Sequence, residues 1–152
     1  MKVSEAMTAP PVHVDPGTSL KEVTHWMAER GVGCVLVVQD DELRGIVTDR
    51  DIALRGLGSG LTPDCTVDAV MSADVVTVDA DEDLRAAYRT FRRAGVRRLP
   101  VLDLGCLVGV LTVDDLFLDV FRQLADLLGP IAWSVLQEPP GPPSAGGGPH
   151  VA

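Results

Sequence analysis

Two threonines and two aspartates carry the most pointed chemistry in this chain. Thr48 and Asp51 stand three residues apart in Gly45-Ile46-Val47-Thr48-Asp49-Arg50-Asp51, and Thr112 and Asp115 do the same in Gly109-Val110-Leu111-Thr112-Val113-Asp114-Asp115. A hydroxyl donates and accepts, whereas an ionised carboxylate only accepts, so each pair suits the vicinal hydroxyls of a sugar better than a reaction. A charge-assisted hydrogen bond of that kind is worth about 1.5–3 kcal/mol. The same spacing is also that of an ordinary helix N-cap, which needs no ligand. A helix beginning at Thr48 or Thr112 would offer unpaired N–H groups to a phosphate. Arg97 and Arg98 are the strongest phosphate candidates. They enter the strand Leu99–Leu102 side by side, so they are expected to point to opposite faces, with at most one of them facing a given cleft. The matching residues of the first half, Gly33 and Cys34, bring no charge, so the two clefts are expected to be unequal.

The elements that must position these residues come from a duplication. At an offset of 64 the halves align without a gap from residue 3 to residue 54, with fifteen identities, among them Val3/Val67, Met7/Met71, Gly45/Gly109, Thr48/Thr112 and Asp51/Asp115. Chance in this composition would give roughly four or five. Each half reads strand, helix, strand, strand, helix. The first strands are expected at Val12–Val14 and Val75–Val78. The helices that follow bury Leu20, Val23, Trp26 and Met27, or Leu84, Ala87, Tyr88 and Phe91. Ser19 and Glu22 have capping-box spacing, Asp81, Glu82 and Asp83 place negative charge at a helix start, and Gly31 and Gly95 stand where helices stop. The hairpins are expected at Val35–Val38 with Leu43–Val47, and at Leu99–Leu102 with Leu107–Leu111, turning at Asp40-Asp41 and Leu104-Gly105.

The expected fold class is α+β, with two repeats packed as one pseudo-twofold module, because a unit of about 55 residues exposes too much apolar surface alone. Repeat one is assigned to 1–56, a linker to 57–66, repeat two with an extended last helix to 67–128, a short apolar segment to 129–138 and a disordered tail to 139–152. The last helix has Leu116, Phe117, Val120, Phe121, Leu124, Leu127 and Leu128 on one face and Asp119, Arg122, Gln123 and Asp126 on the other. It is expected to stop at Gly129-Pro130. Its apolar face fits either docking on its own module or a dimer seam, and Trp133 could anchor on either.

Composition narrows the function. The 152 residues are 46% hydrophobic with a net charge of −9, which argues against a nucleic-acid surface as the main function. No secretory signal and no membrane-length apolar run is visible. Cys34, Cys65 and Cys106 are odd in number and without metal-ligand spacing, which fits a reducing cytoplasm. Cys34 and Cys106 read as small apolar filler at strand entrances, and His13, His25 and His150 form no metal constellation. No nucleophile–base pair, metal cluster or Walker-type phosphate loop points to an enzyme.

The duplicated G-[IVL]-[IVL]-T-x-x-D phrase, the run Gly95-Val96-Arg97-Arg98-Leu99-Pro100-Val101 and the openings at Met7 and Met71 resemble the CBS (cystathionine-β-synthase) domain, of which a tandem pair is a Bateman module. The likeness spans roughly residues 1–128. The phrase Gly45–Ile52 followed by Arg55–Leu61 is similar to stand-alone bacterial CBS-pair proteins, including hypoxia- and stress-response members. The resemblance implies a non-enzymatic regulatory module that binds an adenosyl ligand (AMP, ADP, ATP, S-adenosylmethionine or a dinucleotide) and signals to a separate target protein. It implies a base lying against apolar strand residues such as Ile46 and Val110, and ribose on Asp51 or Asp115. Thr48 or Thr112 would lie near ribose or phosphate, and the loops around Pro11 and Val75 near the base or ribose. It also implies a homodimer. The competing expectation is an interaction module with vestigial clefts. No cofactor is required on either reading.

Overall fold

The structure, a computed structural model, describes residues 1–137, with side-chain surroundings as far as Ile131. The chain divides after Leu116 into two units. The first holds α1 (Val3–Ala6), β1 (His13–Val14), α2 (Leu20–Arg30), β2 (Cys34–Gln39), β3 (Glu42–Thr48), α3 (Asp49–Asp51), β4 (Val78–Asp79), α4 (Leu84–Ala94), β5 (Arg98–Asp103) and β6 (Cys106–Thr112). The last helix, α5 (Val113–Gln137), begins in this unit and supplies the described part of the second.

Each repeat builds the same three-stranded sheet, β1-β2-β3 and β4-β5-β6. The first pair is parallel, joined across a helix, and the second is an antiparallel hairpin. The local chemistry repeats as well. Ser19 Oγ accepts the Glu22 N–H at 3.2 Å, although the return half of that capping box is not made, and Asp83 Oδ1 accepts the Arg85 N–H at 2.8 Å. Gly31 (φ 63°) and Gly95 (φ 65°) end the helices in the left-handed conformation, which glycine adopts without a Cβ penalty. Two successive left-handed residues close each hairpin, Asp40-Asp41 and Leu104-Gly105, matching the twist of the strands they join.

The cores are two separate clusters, and neither is made of one repeat alone. Val3 of the first repeat packs with Val78, Leu84, Ala87, Phe91 and Leu99 of the second, and Val67 and Val70 pack with Val14, Val23, Val35 and Val47 of the first. Backbone pairing follows the same exchange. Thr8 and Val110 trade N–H···O bonds of 2.9 and 3.0 Å, and Ser72 and Ile46 trade bonds of 2.9 and 3.0 Å. Each sheet is therefore flanked at its hairpin edge by a segment from the opposite half of the sequence. This close crossing explains the glycine of the repeated phrase. A Cβ at Gly45 would lie 2.7 Å from Met71 Sδ and 2.9 Å from the Ser72 carbonyl oxygen, and one at Gly109 would lie 2.5 Å from Met7 Sδ and 2.9 Å from the Thr8 carbonyl oxygen.

Several expectations are corrected. The strand expected at Val75–Val78 reduces to Val78–Asp79, whose pairing with β5 begins at Val78 opposite Val101. The segment 57–66 is more than a spacer: Leu61 and Cys65 pack on the first core, and the Cys65 and Pro63 carbonyls accept the N–H groups of Leu20 and Lys21. The helix after Thr48 is one α turn that widens into a π turn (Ile52–Gly56) and tightens into a 3₁₀ turn (Leu57–Ser59). Cys106 is exposed rather than filler. The last helix passes through Gly129-Pro130; proline costs a helix the hydrogen bond its N–H would make without ending this one. Asp119, expected on the polar face, is buried and accepts a 2.7 Å bond from Gln123 Nε2, one turn away. Phe117, Phe121, Leu124 and Leu128 of the apolar face are exposed, in keeping with the expected alternative of a seam. The expectations for the Trp133 side chain and for 139–152 lie outside the described residues.

Candidate functional site

Thr48 and Thr112 are both N-caps. The Thr48 N–H donates to Asp51 Oδ2 at 2.9 Å while the Asp51 N–H donates to Thr48 Oγ1 at 3.1 Å. In the second repeat the Thr112 N–H and hydroxyl both donate to Asp115 Oδ2, at 2.7 and 2.8 Å, and the Asp115 N–H returns to Thr112 Oγ1 at 3.2 Å. The threonine and aspartate of each phrase thus brace one another as a capping box. One carboxylate oxygen serves the cap in each case. The other, Oδ1, lies 3.8 Å from Arg55 Nε in the case of Asp51. Arg55 in turn donates to the Val70 carbonyl and to Ser72 Oγ, so the π turn ties the first phrase to the crossing segment.

The two phrases open on a shared cleft of about 550 Å³. Ile46, Thr48, Asp49, Arg50 and Asp51 line it from the first repeat, and Val96, Arg97, Arg98, Thr112, Val113 and Asp114 from the second, with Ser72 of the crossing segment beside them. Six of the residues expected at a site meet here: Ile46, Thr48, Asp51, Arg97, Arg98 and Thr112. Asp115, Val110, Pro11 and Val75 are not part of this lining. Val110 is buried, with both its backbone groups taken by Thr8. One expectation for the cations is corrected: Arg97 and Arg98 both line this cleft, with Thr112 and with the whole Thr48–Asp51 phrase, rather than one of them at most.

Gly33 lies directly under this meeting of the repeats. The Asp49 N–H donates to the Gly33 carbonyl at 3.1 Å, as the Val113 N–H does to the Arg97 carbonyl at 3.1 Å. A Cβ at Gly33 would lie 3.1 Å from Arg98 Nη2 and 3.4 Å from Asp49 Oδ2. A guanidinium of the second repeat therefore reaches over the backbone of the first. The neighbouring Cys34 thiol is pushed above its ordinary pKa by burial, with Arg98 pulling it down and Asp49 adding to the rise. Arg50, Asp49 and Asp114 were missed as site residues although they stand inside the phrases themselves. The signal was the two residues between threonine and aspartate, Asp49-Arg50 in one repeat and Val113-Asp114 in the other, which place charge beside the cap. Among the described residues no group of three or more His, Cys, Asp or Glu could hold a metal ion, and no helix is long and apolar enough to cross a membrane.

Comparison with known proteins agrees with this architecture. The family model described as "CBS domain" matches residues 3–57 and again residues 67–121. The CBS domain-containing protein YhcV of Bacillus subtilis (strain 168) is 34% identical over 114 residues, 75% of this chain and 81% of that protein. Hypoxic response protein 1 of Mycobacterium tuberculosis is 32% identical over 100 residues, 64% of this chain and 70% of that protein. Among solved structures, a CBS domain protein from Pyrobaculum aerophilum complexed with AMP matches with a TM-score of 0.69 and 27% identity, covering 76% of this chain and 89% of the other.

Proposed function

Because the chain belongs to the CBS domain family and carries two copies of that domain, we propose that it is a non-enzymatic cytoplasmic regulator that binds an adenosyl nucleotide in the cleft between its repeats. Occupancy would be signalled to a partner protein from a homodimer, in a stress response like that suggested by the name of its mycobacterial relative. The observation that carries this reading is the joint lining of one cleft. It combines an apolar strand residue, Ile46, the braced carboxylate of Asp51 and the guanidinium groups of Arg50, Arg97 and Arg98. That is a base surface, a ribose acceptor and a phosphate counter-charge in one space. The AMP bound to the Pyrobaculum aerophilum protein supports the ligand class.

A second reading has its own observation. Both threonine–aspartate pairs are satisfied by each other, so they account for themselves as caps, and the chain would then be an interaction module with an empty cleft. Thermal melting with AMP, ADP, ATP and S-adenosylmethionine separates the two. A ligand at 100 times its dissociation constant adds about 2.7 kcal/mol, and each kcal/mol moves a chain of this size by roughly 2–4 °C. No shift with any of these compounds at millimolar concentration would leave the interaction module standing alone.

A further inference from the structure

We propose that the outer face of α4 is a docking surface for a short acidic segment of a partner protein. Of the thirteen lysines and arginines, six fall between residues 85 and 98, a stretch with no aspartate or glutamate, and the other seven face all 22 acids, leaving −15 on the remainder. Four of the six lie on α4. Arg85, Arg89, Arg92 and Arg93 are all exposed, at helical spacings that gather them along one side, away from the buried Leu84, Ala87 and Phe91. Among the described residues none of their guanidinium groups reaches a carboxylate, whereas Lys2, Arg44 and Arg55 each do.

The duplication supplies an internal control. Helix α2 occupies the same place in the first repeat, with an N-cap side chain, a left-handed glycine and a length of 11 residues all matching α4. Its polar residues are Lys21, Glu22, Thr24, His25, Glu29 and Arg30, mixed in sign. The fold therefore does not require an arginine stripe at this position. The helix dipole favours Arg92 and Arg93 in the last turn but disfavours Arg85 in the first.

The partner follows from size and surroundings. From Arg85 to Arg93 the stripe rises about 12 Å, the reach of two helical turns or a few extended residues. A nucleic acid or an anionic bilayer would extend past it onto a surface of opposite preference, within a Debye length of about 8 Å. Carboxylates on a short protein segment would meet only the guanidinium groups, which bind them in paired hydrogen bonds.

The test is fluorescence anisotropy of a labelled helical peptide bearing four glutamates at i, i+4 spacing, titrated with the full chain at physiological ionic strength. Arg89→Gln combined with Arg92→Gln should weaken binding by roughly tenfold or more, with the far-UV spectrum and melting point unchanged. Lys21→Gln combined with Arg30→Gln on α2 should leave binding as it was. Equal binding by the α4 variant and the parent would overturn the proposal. So would displacement of the peptide at lower concentration by a short DNA duplex or by phosphatidylserine–phosphatidylcholine vesicles. No nucleotide is present and none of these four residues lines the cleft, so the outcome is independent of whether the cleft binds an adenosyl compound.

Discussion

At the scale of single residues, Asp51 and Asp115 look alike in sequence and differ in setting. Both close a capping box from the third position of a helix, so replacing either with alanine should cost about 1 kcal/mol, read as a melting point lower by roughly 2–4 °C. Only Asp51 lines the cleft. Asp51→Ala should therefore also abolish the melting shift given by a bound nucleotide, while Asp115→Ala should keep it; equal loss in both variants would move the ribose contact out of this cleft. The cysteines give a second contrast. Burial raises the Cys34 pKa, so at pH 8 a smaller fraction is thiolate than in an unperturbed thiol, and Cys106 is exposed. Iodoacetamide at that pH should label Cys106 well before Cys34, as measured by peptide mass spectrometry. Because the folded Cys34 pKa lies above its unfolded value, its ionisation favours the unfolded chain only as pH rises past that unfolded value. Neither contrast was legible in the sequence, since the threonine-to-aspartate spacing and the strand-entrance positions are the same in each pair.

At the scale of elements, the helices and hairpins were readable because their signals are local. Capping side chains, left-handed glycines and alternating apolar residues act within a few positions of themselves. The crossing segments were not readable, for a reason built into the duplication. Val3 and Val67, or Met7 and Met71, are corresponding positions, and a pattern repeated at constant offset looks the same whether those segments stay at home or trade places. The trade leaves its trace only in the glycines. Gly45→Ala and Gly109→Ala would each drive a Cβ against a methionine sulfur and a backbone carbonyl. The sulfur can move and the carbonyl cannot, so each should destabilise by about 1–3 kcal/mol, measured as a loss of urea midpoint. Gly17→Ala is the control, since its Cβ would meet nothing. Val3→Ala should lower stability by about 1.5–3 kcal/mol and should raise hydrogen exchange first in α4 and β5, the elements it packs with, rather than in its own repeat.

At the scale of the whole molecule, the net charge of −9 hides a local exception, the α4 stripe, while the cleft sets three arginines against three aspartates. The second unit presents an apolar surface. Phe117, Phe121, Leu124 and Leu128 recur at spacings of four and three residues, the pattern of a coiled-coil seam, and all four are exposed. If the chain is a homodimer through this seam, Phe121→Asp should shift it toward monomer in sedimentation velocity without lowering helix content; a parent chain that is already monomeric at high concentration would remove the dimer.

The exchange of opening segments has a further consequence for how the chain can be divided. A break within 57–64 would not release two self-sufficient halves. The front fragment would keep Val3 and Met7, which complete the core and edge of the back one, and the back fragment would keep Val67 and Met71, which complete the front. Each piece would be unfinished alone and finished by the other, so a severed molecule is built to find its complement even where the covalent link is cut.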